Sequence, residues 1–137
     1  MTDRLTCDAS VLVAMLVDGG PSGQWAATAL SSASDLLAPH LAMFEAANIL
    51  RRHQLAELIT ADQAAQAHAD LLDLAVELWP YEVLARRAWE LRENLSIHDG
   101  SYVALAEMMN IPLATLDSRI ARAPGVRCVI VSPPPSG

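Results

Sequence analysis

Four acidic residues stand where carboxylates could do chemistry together at one edge of a sheet. They come from four separate parts of the chain: Asp8, Glu45, Asp99 and Asp117. Asp8 ends the first predicted strand and Asp117 the fourth, while Asp99 begins the helix before that fourth strand and Glu45 lies on the helix after the second. Because ligands bind beyond the carboxyl ends of strands in open parallel sheets, we expect the four side chains to share one crevice.

Four carboxylates in one crevice favour a bound cation. Without one they would repel each other, which would raise the pKa of at least one of them. Every donor atom is an oxygen, and no cysteine or histidine has the spacing of a metal ligand. Mg²⁺ or Mn²⁺ is therefore favoured over Zn²⁺. Such an ion makes a bound water nucleophilic at neutral pH, so the predicted site could activate water.

The elements that position these residues alternate between strands and helices. Short apolar runs predict strands at 4–8, 36–38, 76–79, 113–116 and 126–131. Helical spacing predicts helices at 10–17, 22–34, 40–58, 60–72, 82–94 and 96–109, and a short one after Asp117. This alternation implies a parallel sheet covered on both faces, hence one three-layer α/β/α domain over residues 1–131. Residues 132–137 are predicted to be a disordered, proline-rich tail.

Three polar residues mark the ends of predicted helices. Thr60 is followed three residues later by a glutamine, and Ser96 three residues later by Asp99, which is the spacing of a capping box. Asn110 follows an apolar helical run and is predicted to end it in the left-handed conformation.

The amino-acid composition bears on which partners the chain could bind. Hydrophobic residues make up 53% of the 137 residues, so we expect a partner or a second copy to cover part of the surface. The net charge is −7, and all nine basic residues are arginine. An acidic chain does not attract nucleic acid through its bulk charge, which argues mildly against RNA binding.

The cellular location and the redox state of the cysteines are predicted from features that the sequence lacks. No signal-like segment opens the chain, and no apolar run approaches the roughly 20 residues that a bilayer span needs. We therefore expect a soluble, cytoplasmic protein. Both cysteines, Cys7 and Cys128, fall in predicted strands and are interpreted as reduced.

Four motifs resemble those of a known family. They are Cys-Asp8-Ala-Ser10-Val, Glu45-Ala-Ala-Asn48-Ile-Leu, His-Asp99-Gly-Ser-Tyr102-Val-Ala-Leu-Ala and Ala-Thr115-Leu-Asp117. In this order they resemble the motifs of PIN-domain ribonucleases, and the short format resembles the VapC toxins of bacterial toxin–antitoxin pairs. The resemblance runs from about residue 4 to 131. It implies an Mg²⁺- or Mn²⁺-dependent endoribonuclease that cuts tRNA, rRNA or mRNA, is inhibited by a cognate antitoxin and forms homodimers.

The resemblance also implies residue roles, carried over by motif. Asp8, Asp99 and Asp117 would be the metal ligands, and Glu45 would hold a water or act as the general base. In support, Ser10 and Thr115 would position a water or a carboxylate, and Asn48 would orient the surroundings of Glu45; capping and packing are equally good explanations for these three. The implied reaction is in-line attack of activated water on an RNA phosphodiester.

Other polar residues near the motifs receive separate interpretations. Arg119 and Arg122 follow Asp117 and are the best candidates for RNA phosphate contact, while the other arginines are interpreted as solvated helix faces. We expect His98 to point away from the site, because neighbours on a helix do not share a face. Gly100 stands where the family usually has alanine and is expected to loosen its helix.

Competing functions lack their marker residues. A receiver domain needs a lysine near its last strand, and the chain has no lysine. A phospho-aspartate hydrolase needs Asp-x-Asp after the first strand, and a dinucleotide-binding domain needs a glycine-rich turn. The alternative that stays open is a catalytically silent PIN-like module that binds RNA or a protein.

Overall fold

A five-stranded parallel sheet forms the centre of the protein. In the computed structural model, which describes residues 3–135, the strand order is β3-β2-β1-β4-β5, with every pair parallel. The strands are β1 (Arg4–Cys7), β2 (Asp35–Pro39), β3 (Val76–Trp79), β4 (Leu113–Ala114) and β5 (Ile130–Val131). Helices cover the sheet in a three-layer α/β/α arrangement, so the predicted fold class is confirmed.

Seven α-helices connect and cover the strands of the described chain. They are α1 (Ala9–Val17), α2 (Pro21–Ser31), α3 (Leu41–Leu55), α4 (Ala61–Asp73), α5 (Ala85–Glu90), α6 (Ile97–Met109) and α7 (Ser118–Arg122). A single 3₁₀ turn, Tyr81–Val83, precedes α5. Helix α1 packs against α2, α3 and α4, whereas α6 packs against β1, β2 and α5. The ends of β1 and β4 therefore open between α1, α3 and α6.

Three predicted helices are shorter in the structure. Helix α2 ends at Ser31 rather than at residue 34, and the other two are shortened for reasons visible in the backbone. Helix α3 ends before residue 58 because Glu57 adopts a left-handed conformation, with φ 61°. The predicted helix at 82–94 reduces to the 3₁₀ turn and α5. After it, the amides of Arg92 and Asn94 bond to carbonyls three residues back, which tightens the chain into turns.

The last two strands are also shorter than predicted. Beyond Ala114, side chains of the site take over two backbone amides: Leu116 N–H donates to Ser10 Oγ and Asp117 N–H to Thr115 Oγ1. With β4 this short, β5 pairs only over Ile130–Val131. The prediction of a strand from residue 126 was wrong, because the amide of Arg127 bonds a glutamate side chain on α6 instead.

The predicted caps are confirmed. Thr60 and Gln63 form a reciprocal capping box at the start of α4. At α6, Ser96 Oγ accepts a hydrogen bond from the amide of Asp99 at 3.1 Å, which fixes the first turn and hence the position of Asp99. At its other end, Asn110 adopts φ 55° in the left-handed region.

Gly100 lies where helices α5 and α6 pack closely against each other. A Cβ atom at this buried position would lie 3.3 Å from the carbonyl oxygen of Ala88 and 3.4 Å from its Cα. Such contacts are tighter than usual, so the missing side chain lets α6 approach α5 closely. Glycine lowers the stability of a helix, but at this position it also allows the two helices to pack closely.

The two cysteines differ in burial: Cys7 is buried and Cys128 is half-buried. Cys7 and Cys128 are free thiols, but Cys128 lies before β5 rather than in a strand. Burial raises the pKa of Cys7 to about 12 and that of Cys128 to about 11, so both stay protonated at neutral pH.

Residues 132–135 hold no helix or strand, and the last two residues of the predicted tail lie outside the described residues. Between residues 3 and 135, no helix has the length and apolarity to cross a bilayer.

Replacing Thr6 with valine should raise the free energy of unfolding by about 1 kcal/mol. The Thr6 side chain is fully buried in β1, and its hydroxyl has no hydrogen-bond partner among the described residues. Valine keeps the shape and removes the unsatisfied group. Chemical denaturation measures the change. Thr115→Val is the matched control, because that equally buried hydroxyl is bonded and its loss should destabilise the protein. A Thr6→Val variant less stable than the parent would contradict the prediction.

Candidate active site

One cleft of about 920 Å³ collects most of the residues that the sequence singles out. Those lining it are Asp8, Ser10, Glu45, Asn48, Asp99, Asp117 and Arg119. Thr115 lies beneath, fully buried, with its hydroxyl bonded to Asp8. Arg122 is not part of the lining, and its guanidinium lies 3.4 Å from Ser118 Oγ. The four acidic residues therefore reach one crevice from β1, α3, α6 and the end of β4.

Asp8 is the most buried carboxylate of the cleft, with 6% of its surface exposed. It caps α1 by accepting from the amide of Val11 at 3.1 Å, and it accepts from the hydroxyls of Ser10, at 2.6 Å, and Thr115. Burial raises the pKa of Asp8, the negative charge of Asp99 adds to the rise, and the hydrogen bonds oppose it. Asp8 is thus held in one orientation and lacks a compensating positive charge.

Ser10 and Thr115 connect the two strand ends that carry Asp8 and Asp117. Each hydroxyl donates to Asp8 and accepts a backbone amide from the segment after β4, at 3.3 Å for Ser10 and 2.9 Å for Thr115. Neither residue is itself a helix cap; their hydroxyls hold the two capping residues, Asp8 at α1 and Asp117 at α7. This network fixes the distance between β1 and the start of α7.

Asp99 and Asp117 face each other across the cleft with opposite pKa shifts. Asp99 is half-buried, and burial together with the negative charge of Asp117 raises its pKa. Asp117 caps α7 and binds Arg119 through both side-chain oxygens, at 2.6 Å for Nη2–Oδ2 and 3.0 Å for Nε–Oδ1. Those hydrogen bonds hold the pKa of Asp117 below its usual range. Arg119 is itself highly exposed, so its ion pair with Asp117 is open to exchange with solvent or ligand.

Tyr102 is a site residue that sequence reasoning did not assign. Its ring is 1% exposed, and its hydroxyl donates to Glu45 Oε1 at 2.5 Å, which connects α6 to α3. Burial and the bond to Glu45 raise the pKa of Tyr102 far above its usual range, so the phenol remains a donor. A signal was present, because a tyrosine buried within a small apolar helix usually has a partner for its hydroxyl.

The outer wall of the cleft includes residues that were not expected there from the sequence. His98, expected to point away, is among the lining residues, because the cleft is open enough to include the exposed side of the first turn of α6. Arg51 and Arg52, interpreted as solvated, line the cleft from α3 together with Phe44. Their positions along α3 could have indicated this. Phe44 is next to Glu45 in the sequence, and Arg51 and Arg52 follow Glu45 by one to two helical turns.

The donor set fits a hard divalent cation. All four acidic side chains present carboxylate oxygens, and burial, together with the negative charge of a neighbouring carboxylate, raises the pKa of Asp8 and of Asp99. Within residues 3–135, no three Asp, Glu, His or Cys side chains lie close enough together to form a ready metal cluster. Asp117 is turned to Arg119 and Glu45 to Tyr102, so a cation would have to draw these carboxylates inward.

Comparison with known proteins places the chain in a family. The PIN domain family matches residues 5–126, which include all four acidic positions. Ribonuclease VapC9 of Mycobacterium tuberculosis is 37% identical over 130 residues, covering 95% of this chain and 98% of that protein. The chain belongs to the VapC group of PIN domains. The resemblance recognised from the four motifs is thereby confirmed.

Solved structures support the same PIN fold. Mycobacterium tuberculosis VapC20, a toxin that cleaves the sarcin-ricin loop, aligns with a TM-score of 0.69 at 19% identity, covering 91% of this chain and 98% of that one. VapBC2 of Rickettsia felis, solved with a DNA fragment from its promoter, aligns at 0.66 and 12% identity, covering 94% and 98%. At these identities the likeness concerns the fold alone. The carboxylate cleft of this PIN domain lies beyond the carboxyl ends of β1 and β4, which are neighbours in the sheet.

Proposed function

We propose that the chain is an Mg²⁺- or Mn²⁺-dependent endoribonuclease and the toxin of a toxin–antitoxin pair. The observation that carries the proposal is the convergence of Asp8, Glu45, Asp99 and Asp117 from four elements into one cleft. The relatives that the chain matches are named ribonucleases. Carboxylates gathered in one cleft are suited to phosphodiester hydrolysis assisted by a cation.

Asp8, Asp99 and Asp117 are the residues that would hold the cation. Asp8 offers its oxygens in an orientation fixed by Ser10 and Thr115, and Asp99 lies on a capped helix start. When bound there, Mg²⁺ or Mn²⁺ supplies activation of water and neutralisation of charge on the phosphate. Asp117 reaches such a position once Arg119 releases it.

The remaining side chains would orient the reaction. Glu45, which the Tyr102 hydroxyl holds, would accept a proton from the attacking water. Arg119, once freed from Asp117, would contact the phosphate of the RNA, and Arg122 would contact the backbone further out. Asn48, exposed one turn along α3 from Glu45, would orient the groups around that carboxylate.

Replacing Tyr102 with phenylalanine should lower kcat for RNA cleavage about tenfold and leave KM within twofold. The change removes only the hydroxyl that holds Glu45, and a hydrogen bond to a charged group is worth roughly 1.5–3 kcal/mol. Tyr81→Phe is the matched control, because Tyr81 is an exposed residue outside the cleft lining. In a Glu45→Gln background, Tyr102→Phe should have little further effect. An equal tenfold loss in that background would show that the tyrosine acts elsewhere.

The proposed partners are RNA, an antitoxin and a second copy of the chain. Large apolar side chains are exposed, with Leu55 at 64%, Leu58 at 69% and Leu72 at 64%. Such surface is suited to an amphipathic antitoxin segment and to a homodimer contact. The structure of VapBC2 from Rickettsia felis supports the antitoxin by analogy. A cytoplasmic location and tRNA, rRNA or mRNA as substrate complete the proposal.

Incubation of the antitoxin-free protein with total RNA tests the proposal. Parallel reactions contain Mg²⁺, Mn²⁺ or EDTA, and product ends are mapped by sequencing. Discrete cuts that require the metal are expected and would identify the RNA. A folded protein that binds RNA or the antitoxin but makes no cuts would favour the alternative, a catalytically silent PIN-like binding module.

A further inference from the structure

An exposed aromatic ring stands at the edge of the carboxylate cleft. Phe44 is the only phenylalanine in the chain, and 79% of its surface is exposed. It lies in the first turn of α3, directly before Glu45, and lines the cleft. Single exposed apolar residues are ordinary, but this one offers a flat face beside the proposed reaction centre.

Two arginines extend the same face of α3. Arg51 and Arg52 follow Phe44 by seven and eight residues, which is two helical turns and about 10–12 Å along the axis. Both are exposed and line the cleft. Within the described chain neither forms an ion pair, whereas Arg87 and Arg119 do. Their guanidinium groups are therefore available to an anionic ligand.

The α3 rim, defined as Phe44, Arg51 and Arg52, selects a ligand with a flat apolar face and an adjacent negative charge. Such a ligand must approach an acidic cleft in a protein of net charge −7, so binding depends on local positive groups. Aromatic rings and arginines in one groove are how proteins bind single-stranded nucleic acid, by stacking on bases and pairing with phosphates.

We infer that the α3 rim binds an unpaired nucleotide of the substrate, with its base stacked on Phe44 and its neighbouring phosphates on Arg51 and Arg52. The inference rests on the proposed function, because it takes RNA as the ligand of the cleft. In a duplex the base faces are already stacked on their neighbours, so only a single strand, a loop or a bulge offers a face to Phe44. Phe44, Arg51 and Arg52 are therefore the residues with which this chain would hold such an unpaired nucleotide.

Equilibrium binding tests the rim without turnover. Full-length Asp99→Asn protein is titrated with a fluorescein-labelled, mixed-sequence single-stranded RNA in Mg²⁺. Adding Phe44→Ala should weaken binding roughly 5- to 100-fold, the usual loss per stacked base, while Phe44→Trp should keep it within a few fold. Val129→Ala is the matched control, since Val129 is also highly exposed and lies outside the cleft lining. The RNA annealed to its complement should bind more weakly and should not respond to Phe44→Ala.

The salt dependence separates stacking from charge. Arg51→Ala and Arg52→Ala should each reduce the slope of log K against log salt by about 0.7, the contribution of one phosphate contact on a single strand. Phe44→Ala should leave the slope unchanged, because it removes no charge. Unchanged slopes in both arginine variants would overturn their assignment to phosphates.

The outcomes distinguish this inference from the proposed function. Unchanged RNA affinity in Phe44→Ala, with metal-dependent cleavage by the parent, would overturn the rim and leave the nuclease intact. Unchanged RNA affinity with loss of self-association in sedimentation would assign Phe44 to a protein contact and also overturn it. RNA binding that depends on Phe44 in a parent that never cuts would support the rim and contradict the nuclease.

Discussion

Replacing Asp99 with asparagine should lower the rate of RNA cleavage at least about a hundredfold while leaving the protein no less stable than the parent. Loss of one group that stabilises charge in the transition state commonly costs this much. The stability part follows from the raised pKa of Asp99, because burial and the nearby Asp117 make its ionised form unfavourable in the folded state. Asparagine keeps the shape and removes that charge.

Single-turnover cleavage and thermal unfolding measure the two effects on the same preparations. Asp73→Asn is the matched control, because Asp73 is an exposed residue at the end of α4 and outside the cleft lining. It should change neither quantity measurably. An Asp99→Asn variant that cleaves as fast as the parent would remove Asp99 from the mechanism, and one that loses activity only by unfolding would contradict the stability argument.

Mg²⁺ should stabilise the folded protein by about 2.7 kcal/mol at a concentration a hundred times its Kd. The cation would bind the native cleft, where burial and neighbouring carboxylates make the ionised forms of Asp8 and Asp99 unfavourable, and the unfolded chain does not assemble that site. Thermal unfolding in Mg²⁺ and in EDTA at equal ionic strength measures the shift. In Asp99→Asn the shift should shrink, because one proposed ligand is lost.

The pH dependence of this stabilisation has a definite sign. Asp8 and Asp99 have folded-state pKa values raised above their ordinary value of 3.8, so the metal-free protein loses stability as pH rises through the window from 3.8 to those raised values. Above the window both groups are ionised and the stabilisation by Mg²⁺ should be largest. Below it, protons compete and the shift should shrink. An equal shift at all pH values, or in Asp99→Asn, would place the cation elsewhere.

The positions of the acidic residues could be predicted because they depend on local context. Asp8 and Asp117 follow predicted strands, and Asp99 opens a capped helix, so the sheet rule brings them to one edge before any contact is known. Glu45 was predictable only as part of the set, since its helix face is ambiguous in the sequence. The order β3-β2-β1-β4-β5 then places the ends of β1 and β4 side by side.

The partners of these residues could not be predicted, because they depend on tertiary packing. Tyr102 and Glu45 are 57 residues apart, and Thr115 and Asp8 are 107 apart. Residue types also do not show that Arg119 pairs with Asp117. The shortened strand β5 has the same origin, since a glutamate on α6 takes the amide of Arg127.

The most direct test of the central claim is cleavage of the identified RNA carrying a single 2′-deoxynucleotide on the 5′ side of the cut. Hydrolysis by water at a carboxylate-bound cation needs no neighbouring 2′-hydroxyl. We expect that the substituted RNA is still cut in Mg²⁺, that EDTA prevents the cut, and that the unsubstituted RNA gives products without a 2′,3′-cyclic phosphate. Cleavage abolished by the 2′-deoxy substitution, or cyclic phosphate ends formed in EDTA, would contradict the role assigned to Asp8, Asp99 and Asp117.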